Sequence, residues 1–421
     1  MRILCACHQF FPEYYTGTER YTLDLAKQLQ RMGHSVSVLT YATKAFEAQP
    51  PVGTAISRAK YEYEGVPVIA LRHVDFDRRG GLPGVSFEIE DRAIFQEIKR
   101  FLGEQSFDLL HCIHPMRLGE AMRAAKEAGL KVVLHLMDYW MICPRVTLQR
   151  VNGSLCDGPD HGRNCAIFCY QGRGMVEQLL KRYDDSVETL GMVDAVLSHS
   201  HFLIEMFNQS GVDTRGFVHC PNGFDYANVK FTDRGRDRED TVVTFGFIGT
   251  ILPHKGVEIL IDAFKRVAAD NVRLKIYGGY FDEHEYYSRL LALAEGDKRI
   301  EFCGDYEFNS VARVLAGIDV VVVPSLWYEN APLVIGTAQA FGIPVITTGL
   351  GGMKEMVEDG VNGFTFRLGD AEDLADKIRL LAAKPGVLAD LSRNKMPPPR
   401  IESEAFLLER LYFDLVGRSS L

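Results

Sequence analysis

At 421 residues the chain is too long for one hydrophobic core and fits two domains of about 200 residues each. An apolar content of 47% with 24% charged residues excludes a disordered or fibrous protein. The net charge of −9 argues against a nucleic-acid partner, which would call for a basic excess. No apolar run approaches the ~20 residues of a membrane span, and the opening MRILCACHQFF reads as a strand interrupted by His8, not as a signal peptide. Nine cysteines, an odd number in a large chain without an export signal, lead us to expect a reducing cytoplasm.

In chain order, RILCACHQFFP predicts a buried strand. A Gly-containing loop follows, then an amphipathic helix carrying Leu23, Leu25, Ala26 and Leu29, a stop at Gly33 and a second strand. That is a βαβ unit, whose first loop faces the ligand crevice of an open sheet. The loop holds Gly17 and Thr18 but no GxGxxG, which counts against a nicotinamide or flavin oxidoreductase. Residues 41–87 read as an irregular edge with one strand, VPVIALR. The helix DRAIFQEIKRFLGEQ sets Arg92, Lys99 and Arg100 around an apolar face of Ile94, Phe95, Ile98 and Phe101. Core packing is the plainer use of such a face, and docking on a membrane surface the alternative. FDLLHCIHP predicts a strand ending in His111 and His114. LKVVLHLMDYWMICPR predicts the next strand, with its exit loop.

Residues 141–175 form a Gly-rich insertion without periodicity, in which Cys143, Cys156, Cys165 and Cys169 are spaced C-x12-C-x8-C-x3-C. Four thiols in a loop too polar to make a core suit a structural zinc ion. Without a CxxC knuckle, unpaired thiols and a disulfide or redox role stay open. Helix MVEQLLKRYDDSVETLGMVD, strand AVLSHS, helix HFLIEMFNQSG and strand FVHCPNGFD close the first half, and KFTDRGRDREDT is a charged connector.

The second half opens with strand, loop and helix in TFGFIGTILPHKGVEILIDAFKRV, which places Gly249, Thr250 and Lys255 in the loop. LKIYGGY and IEFCGDY are further strands. VVVPSLWYENAPLVIGTAQAFGIPVIT predicts a buried strand, a loop with Glu329, a helix with Pro332 near its first turn and a stop at Gly342, then another strand. The helix start offers free backbone N–H groups suited to a phosphate, while Glu329 is better suited to gripping hydroxyls. GLGGMKEMVEDGVNGFTFRLGDAEDLADKI adds Gly-rich turns, a helix and a hairpin-like strand entry at Asn362-Gly363. MPPPR breaks the chain before a terminal amphipathic helix.

The N-terminal glycine loop, PNGFD, HKG, PSLWYE and GIPVI, in this order, resemble the retaining glycosyltransferases of family 4 across nearly the whole chain. The resemblance implies an α/β GT-B fold of two Rossmann-like domains whose parallel sheets face a central cleft. They would span 1–221, with the helix 403–421 packing back onto it, and 222–402. It also implies a nucleotide-sugar donor, a glycan or lipid-linked acceptor and no cofactor for catalysis. In the family Glu329 holds donor-sugar hydroxyls, and the amides of Leu333 and Val334, preceded by Asn330 and Ala331, bind the diphosphate. Lys255 also bonds donor phosphates, with Gly17, Thr18, Gly249 and Thr250 alongside, and His114 lies near the transferred sugar. Three positions depart from the pattern. Thr337 stands where a second acid clamps the ribose, Met137 where an active-site histidine is common, and Thr250 where a second cation is usual. They motivate the rival reading, a degenerate GT-B protein that binds a glycan or nucleotide, or scaffolds a partner, without turnover. By the same analogy the enzyme would be cytoplasmic, with peripheral contact at the inner membrane face.

Overall fold

The computed structural model describes residues 1–44, 55–79, 87–171, 174–226, 242–280, 283–306, 311–393 and 397–417. The connector KFTDRGRDREDT and Met396 of the MPPPR break lie outside them. The chain divides into two compact units, Met1–Gly223 with Pro399–Leu421, and Phe224–Pro398.

The first unit runs β1 (Arg2–Cys7), α1 (Gly17–Arg31), β2 (Ser35–Tyr41), β3 (Ile56–Tyr63), β4 (Val66–His73), α2 (Arg92–Glu104), β5 (Leu109–Cys112), α3 (Glu120–Glu127), β6 (Lys131–Leu136), α4 (Arg163–Phe168), α5 (Val176–Met192), β7 (Ala195–Ser198), α6 (His201–Gln209) and β8 (Phe217–His219). Its eight strands lie in the order β3-β4-β2-β1-β5-β6-β7-β8. Central strands such as β1 are covered on both faces, which is why they read as unbroken apolar runs. The strand order reverses between β1 and β5, so the loops leaving these two strands border the crevice where open sheets bind ligands.

The second unit runs β9 (Val243–Ile248), a short 3-10 turn (Pro253–Lys255), α7 (Val257–Lys265), β10 (Val272–Tyr277), α8 (His284–Ala294), β11 (Ile300–Gly304), α9 (Val311–Ala316), β12 (Val320–Val323), α10 (Leu333–Ala340), β13 (Val345–Thr348), α11 (Gly351–Met356), β14 (Gly363–Phe366), α12 (Ala371–Ala383) and α13 (Pro385–Arg393). Its sheet, β11-β10-β9-β12-β13-β14, is parallel throughout and reverses between β9 and β12. The last helix, α14 (Ile401–Val416), belongs to the first unit and packs on α1.

Three local expectations are corrected. The edge between residues 41 and 87 is not irregular with one strand: β3 pairs antiparallel with β4 from Ile56↔His73 to Tyr63↔Val66. Its alternating charges suit a sheet edge, and they hide it from an apolar count. Asn362-Gly363 makes no hairpin, because β14 pairs parallel with β13. The cysteine insertion contains a helix, α4. The plainer reading of α2 holds: Ile94, Ile98 and Phe101 are buried, so its apolar face is core and not a membrane-docking face.

Candidate active site

In the second unit, the loops leaving β9 and β12 meet because a glycine lets them. Gly256 has φ +73°, and a Cβ there would overlap the Pro324 carbonyl oxygen. Its conformation also ends the 3-10 turn and starts α7, so Lys255 projects toward the β12 loop. Leu326 N–H donates to the His254 carbonyl at 2.7 Å and fastens the two loops together.

This brings Lys255 onto Glu329. Lys255 Nζ lies 2.6 Å from Glu329 Oε1, which also accepts from Ser325 Oγ at 2.8 Å and Trp327 Nε1 at 2.9 Å. The ammonium sits 5.3 Å from the centre of the Trp327 ring. Three donors saturate Oε1, while Oε2 takes no hydrogen bond among the described residues, which leaves it to accept from an incoming hydroxyl. Lys255 uses one of its three N–H bonds on the carboxylate, so two remain for an anion. His254 packs edge-on to Trp327, and burial, reinforced by the Lys255 charge, pushes its pKa down to about 4. It is neutral at pH 7 and adds no charge to the pair.

The resemblance assigns Lys255 to phosphate and Glu329 to sugar; in the structure the two also hold each other. Ser325 and Trp327, which fix the carboxylate, were missed from sequence, although a tryptophan two residues before the loop acid was a visible signal. A second glycine pair supports the loop from behind. Gly352 N–H donates to the Glu329 carbonyl at 2.9 Å, and a Cβ on Gly352 would overlap the Asn330 carbonyl oxygen. Gly352→Ala should therefore cost roughly 1–3 kcal/mol of stability and weaken donor binding, read by thermal melting and calorimetry.

Pro332 is the N-cap of α10, at the edge of its first turn as expected. No side chain caps this end, Ile335 N–H is satisfied by the Pro332 carbonyl at 3.0 Å, and the amides of Leu333 and Val334 have no intrahelical acceptor. Asn330 is buried and Ala331 half-buried just before them. Thr337 Oγ1 donates to the Leu333 carbonyl at 2.7 Å, so its hydroxyl proton is committed to its own helix. Gly249 and Thr250 follow β9, where Gly249 N–H bonds the Tyr277 carbonyl at 3.1 Å and Ile251 N–H the Gly279 carbonyl at 2.8 Å.

In the first unit Gly17 and Thr18 are the first two residues of α1. Glu19 reaches back to the Thr16 N–H at 2.6 Å, a T-x-x-E pattern that sequence reasoning passed over. His114 has both ring nitrogens occupied: Nε2 faces Asp138 Oδ2 at 2.7 Å, and Nδ1 accepts from Met116 N–H at 3.2 Å. That fixes an Nε2–H imidazole with no nitrogen left for a sugar, so its part is to orient Asp138, whose Oδ1 accepts from Trp140 N–H. His135 does not replace the histidine missing at Met137, because it is fully buried against Tyr21 and His199.

Residues 15–228 match the profile of Glycosyltransferase Family 4, and residues 242–384 match that of glycosyl transferases group 1. The chain belongs to glycosyltransferase family 4. This family 4 transferase is 26% identical to a phosphatidyl-myo-inositol mannosyltransferase of Mycobacterium leprae, over 90% of this chain and 86% of the relative. It is also 26% identical to a D-inositol 3-phosphate glycosyltransferase of Xylanimonas cellulosilytica, over 89% and 85%. Its fold matches that of Anabaena HepE, solved in complex with UDP and glucose, with a TM-score of 0.70 at 20% identity over 97% and 98% of the two chains. Sucrose-phosphate synthase from Thermosynechococcus elongatus matches with a TM-score of 0.71 at 16% identity over 99% and 100%. The fold is thus GT-B, two Rossmann-like α/β domains with parallel sheets, and the chain is a glycosyltransferase. Among the described residues no helix is long and apolar enough to cross a membrane.

Proposed function

We propose that the enzyme moves a sugar from a nucleotide-sugar donor to a glycan or lipid-linked acceptor with retention at the anomeric carbon. The observation that carries this reading is the Lys255–Glu329 pair beside the uncapped start of α10. Two free N–H bonds of Lys255 and the Leu333 and Val334 amides would meet the diphosphate and stabilise it as it leaves. Glu329 Oε2 would hold a sugar hydroxyl as positive charge develops at the anomeric carbon. The family mechanism we adopt sends the acceptor hydroxyl in on the face the diphosphate leaves, with a donor phosphate oxygen taking its proton.

Acceptor recognition would fall to the first unit. One relative is named for phosphatidyl-myo-inositol, which supports a lipid-linked acceptor, and the other for D-inositol 3-phosphate. Incubation with a panel of nucleotide sugars, scored for binding and donor hydrolysis, tests the reading. Binding without hydrolysis or transfer would support the degenerate alternative, and binding to none would overturn the transferase reading.

Thr337→Glu restores the second acid of the family signature. It should tighten the donor by roughly 1–3 kcal/mol through a charge-assisted bond to a ribose hydroxyl. Calorimetry with the donor checks this, and unchanged affinity places the ribose elsewhere.

A further inference from the structure

The insertion after β6 belongs to none of the machinery above, yet it is built around sulfur. Cys143, Cys156, Cys165 and Cys169 all line one small cavity, together with Ile142, Leu148 and Tyr170 among others. The chain reaches this arrangement in three steps. Cys143 follows the exit of β6, its N–H bonded to the Tyr139 carbonyl at 2.7 Å. A tight turn closed by the antiparallel bridge Gln149↔Leu155 returns the chain to Cys156. Cys165 lies in α4 and Cys169 at its end, one helical turn apart and so on one face.

Burial raises the pKa of Cys143, Cys165 and Cys169, and local donors work against it. Backbone N–H groups of Arg145 and Leu148 donate to Cys143 Sγ, and that of Val151 to Cys169 Sγ. The Arg182 guanidinium, buried under the loop and bonded to the Met141 carbonyl at 3.3 Å, adds a positive field. All four thiols are free of disulfides. Around them the loop has little apolar core of its own, with Val151, Ile167 and Phe168 exposed. A ring of thiols about a space, with amide donors aimed at sulfur, is what a structural metal site needs.

Two tighter groups of ligand-type atoms, each within 4.8 Å of one another, are Cys7 with His8 and Glu19, and His135 with His199 and Glu404. In each the carboxylate is partly held by the fold: Glu19 Oε2 is taken by Thr16, and the Glu404 oxygens by Tyr21 and Gly223 N–H, while Glu19 Oε1, His135 Nε2 and His199 Nε2 take no hydrogen bond among the described residues. The four thiols are more open, with no three sulfurs within 4.8 Å of one another, and they share the lining of one cavity, so binding an ion would draw them together.

We propose that Cys143, Cys156, Cys165 and Cys169 bind one structural zinc ion that holds residues 141–175 in place. Each sulfur gives up its proton and donates a lone pair to the metal, so no oxidant or reductant is involved. The ion orders the loop and takes no part in transfer.

The test uses the full chain purified without chelator. Elemental analysis should find about one zinc per chain, as a closed four-thiolate site requires. A mercurial that blocks thiols should release it to a colorimetric zinc indicator. Cys165→Ser with Cys169→Ser should abolish zinc binding and lower the melting temperature, whereas Cys303→Ser in the second unit should change neither. Should the double variant fail to fold, the mercurial titration of the wild type still decides. Zinc well below stoichiometry, iron with visible absorbance in its place, or a mass loss of one disulfide would each overturn the proposal. Because the readouts are metal content and melting, they stand apart from any failure of the donor-site reading.

Discussion

Glu329→Gln should lower kcat/KM by about a hundredfold to a thousandfold while leaving the fold intact, the loss usual for one electrostatic contact at a reacting centre. The amide keeps an oxygen for Ser325 Oγ and Trp327 Nε1, which both bond Glu329 Oε1, but it gives up the charge that faces Lys255 at 2.6 Å. The fall should sit mainly in kcat, because the carboxylate is asked to act as charge develops. Glu329→Ala should do more damage. It strands a half-buried ammonium, an indole N–H and a serine hydroxyl, at a cost of roughly 3–5 kcal/mol for the broken pair. Its activity loss therefore mixes chemistry with unfolding, and the Gln variant is the cleaner probe. Lys255→Ala should also slow transfer. Since the two side chains hold each other, the double variant should fall short of the summed single losses by about 1–3 kcal/mol. Steady-state kinetics on the four proteins, with melting curves, checks this. Wild-type turnover by Glu329→Gln would reduce the pair to a loop staple.

That pair also marks where sequence reading stopped. The strand Val320–Val323 and the helix after it were legible, because a parallel strand buried on both faces leaves an unbroken β-branched run and Gly342 ends a helix by its conformation. Lys255 and Glu329 could each be named from their flanks. Their contact spans 74 residues and depends on the strand order β9-β12, which no local pattern encodes. The glycine behind the loop was invisible for a related reason: Gly352 reads as one more turn residue until Asn330 is seen against it. His114 shows the opposite failure. Its place at a strand end was read correctly, but a ring nitrogen's availability is decided by Asp138 and Met116, and both are occupied. Thr337 was legible as a missing acid, though not its bond to its own helix. The edge strand β3 escaped because its residues alternate in charge, where the reading weighed apolar runs.

The C-terminal helix α14 should loosen as pH rises from about 6.5 to 8, because one buried carboxyl fastens it to the first unit. Glu404 is buried, accepts from Tyr21 Oη at 2.6 Å and from Gly223 N–H at 2.6 Å, and burial pushes its pKa up to about 8. The folded protein thus keeps a proton that the unfolded chain releases above the ordinary 4.5, and the stabilisation from holding it is complete below that value and lost as pH climbs to 8. Buried histidines work against this at lower pH. Burial pushes His111 down to about 3 and His199 to about 4, and His135 well below its ordinary value, so stability from these groups grows until the unfolded chain's histidines are neutral near 6.5. Above 6.5 their contribution levels off, and it is common to wild type and Glu404→Gln. Over that interval wild type should lose about 2 kcal/mol relative to Glu404→Gln, which keeps an acceptor for Gly223 but has no proton to lose. Glu19, whose pKa burial also raises, is common to both proteins and cancels in the comparison. The chain has two tryptophans, Trp140 in the first unit and Trp327 in the second, so a Trp327→Phe background lets Trp140 fluorescence follow the unit that carries Glu404. Equal slopes for the two proteins in urea melts at pH 6.5 and 8 would show that Glu404 is already ionised in the fold. Tyr21 and the Gly223 amide would then suffice to hold a buried charge.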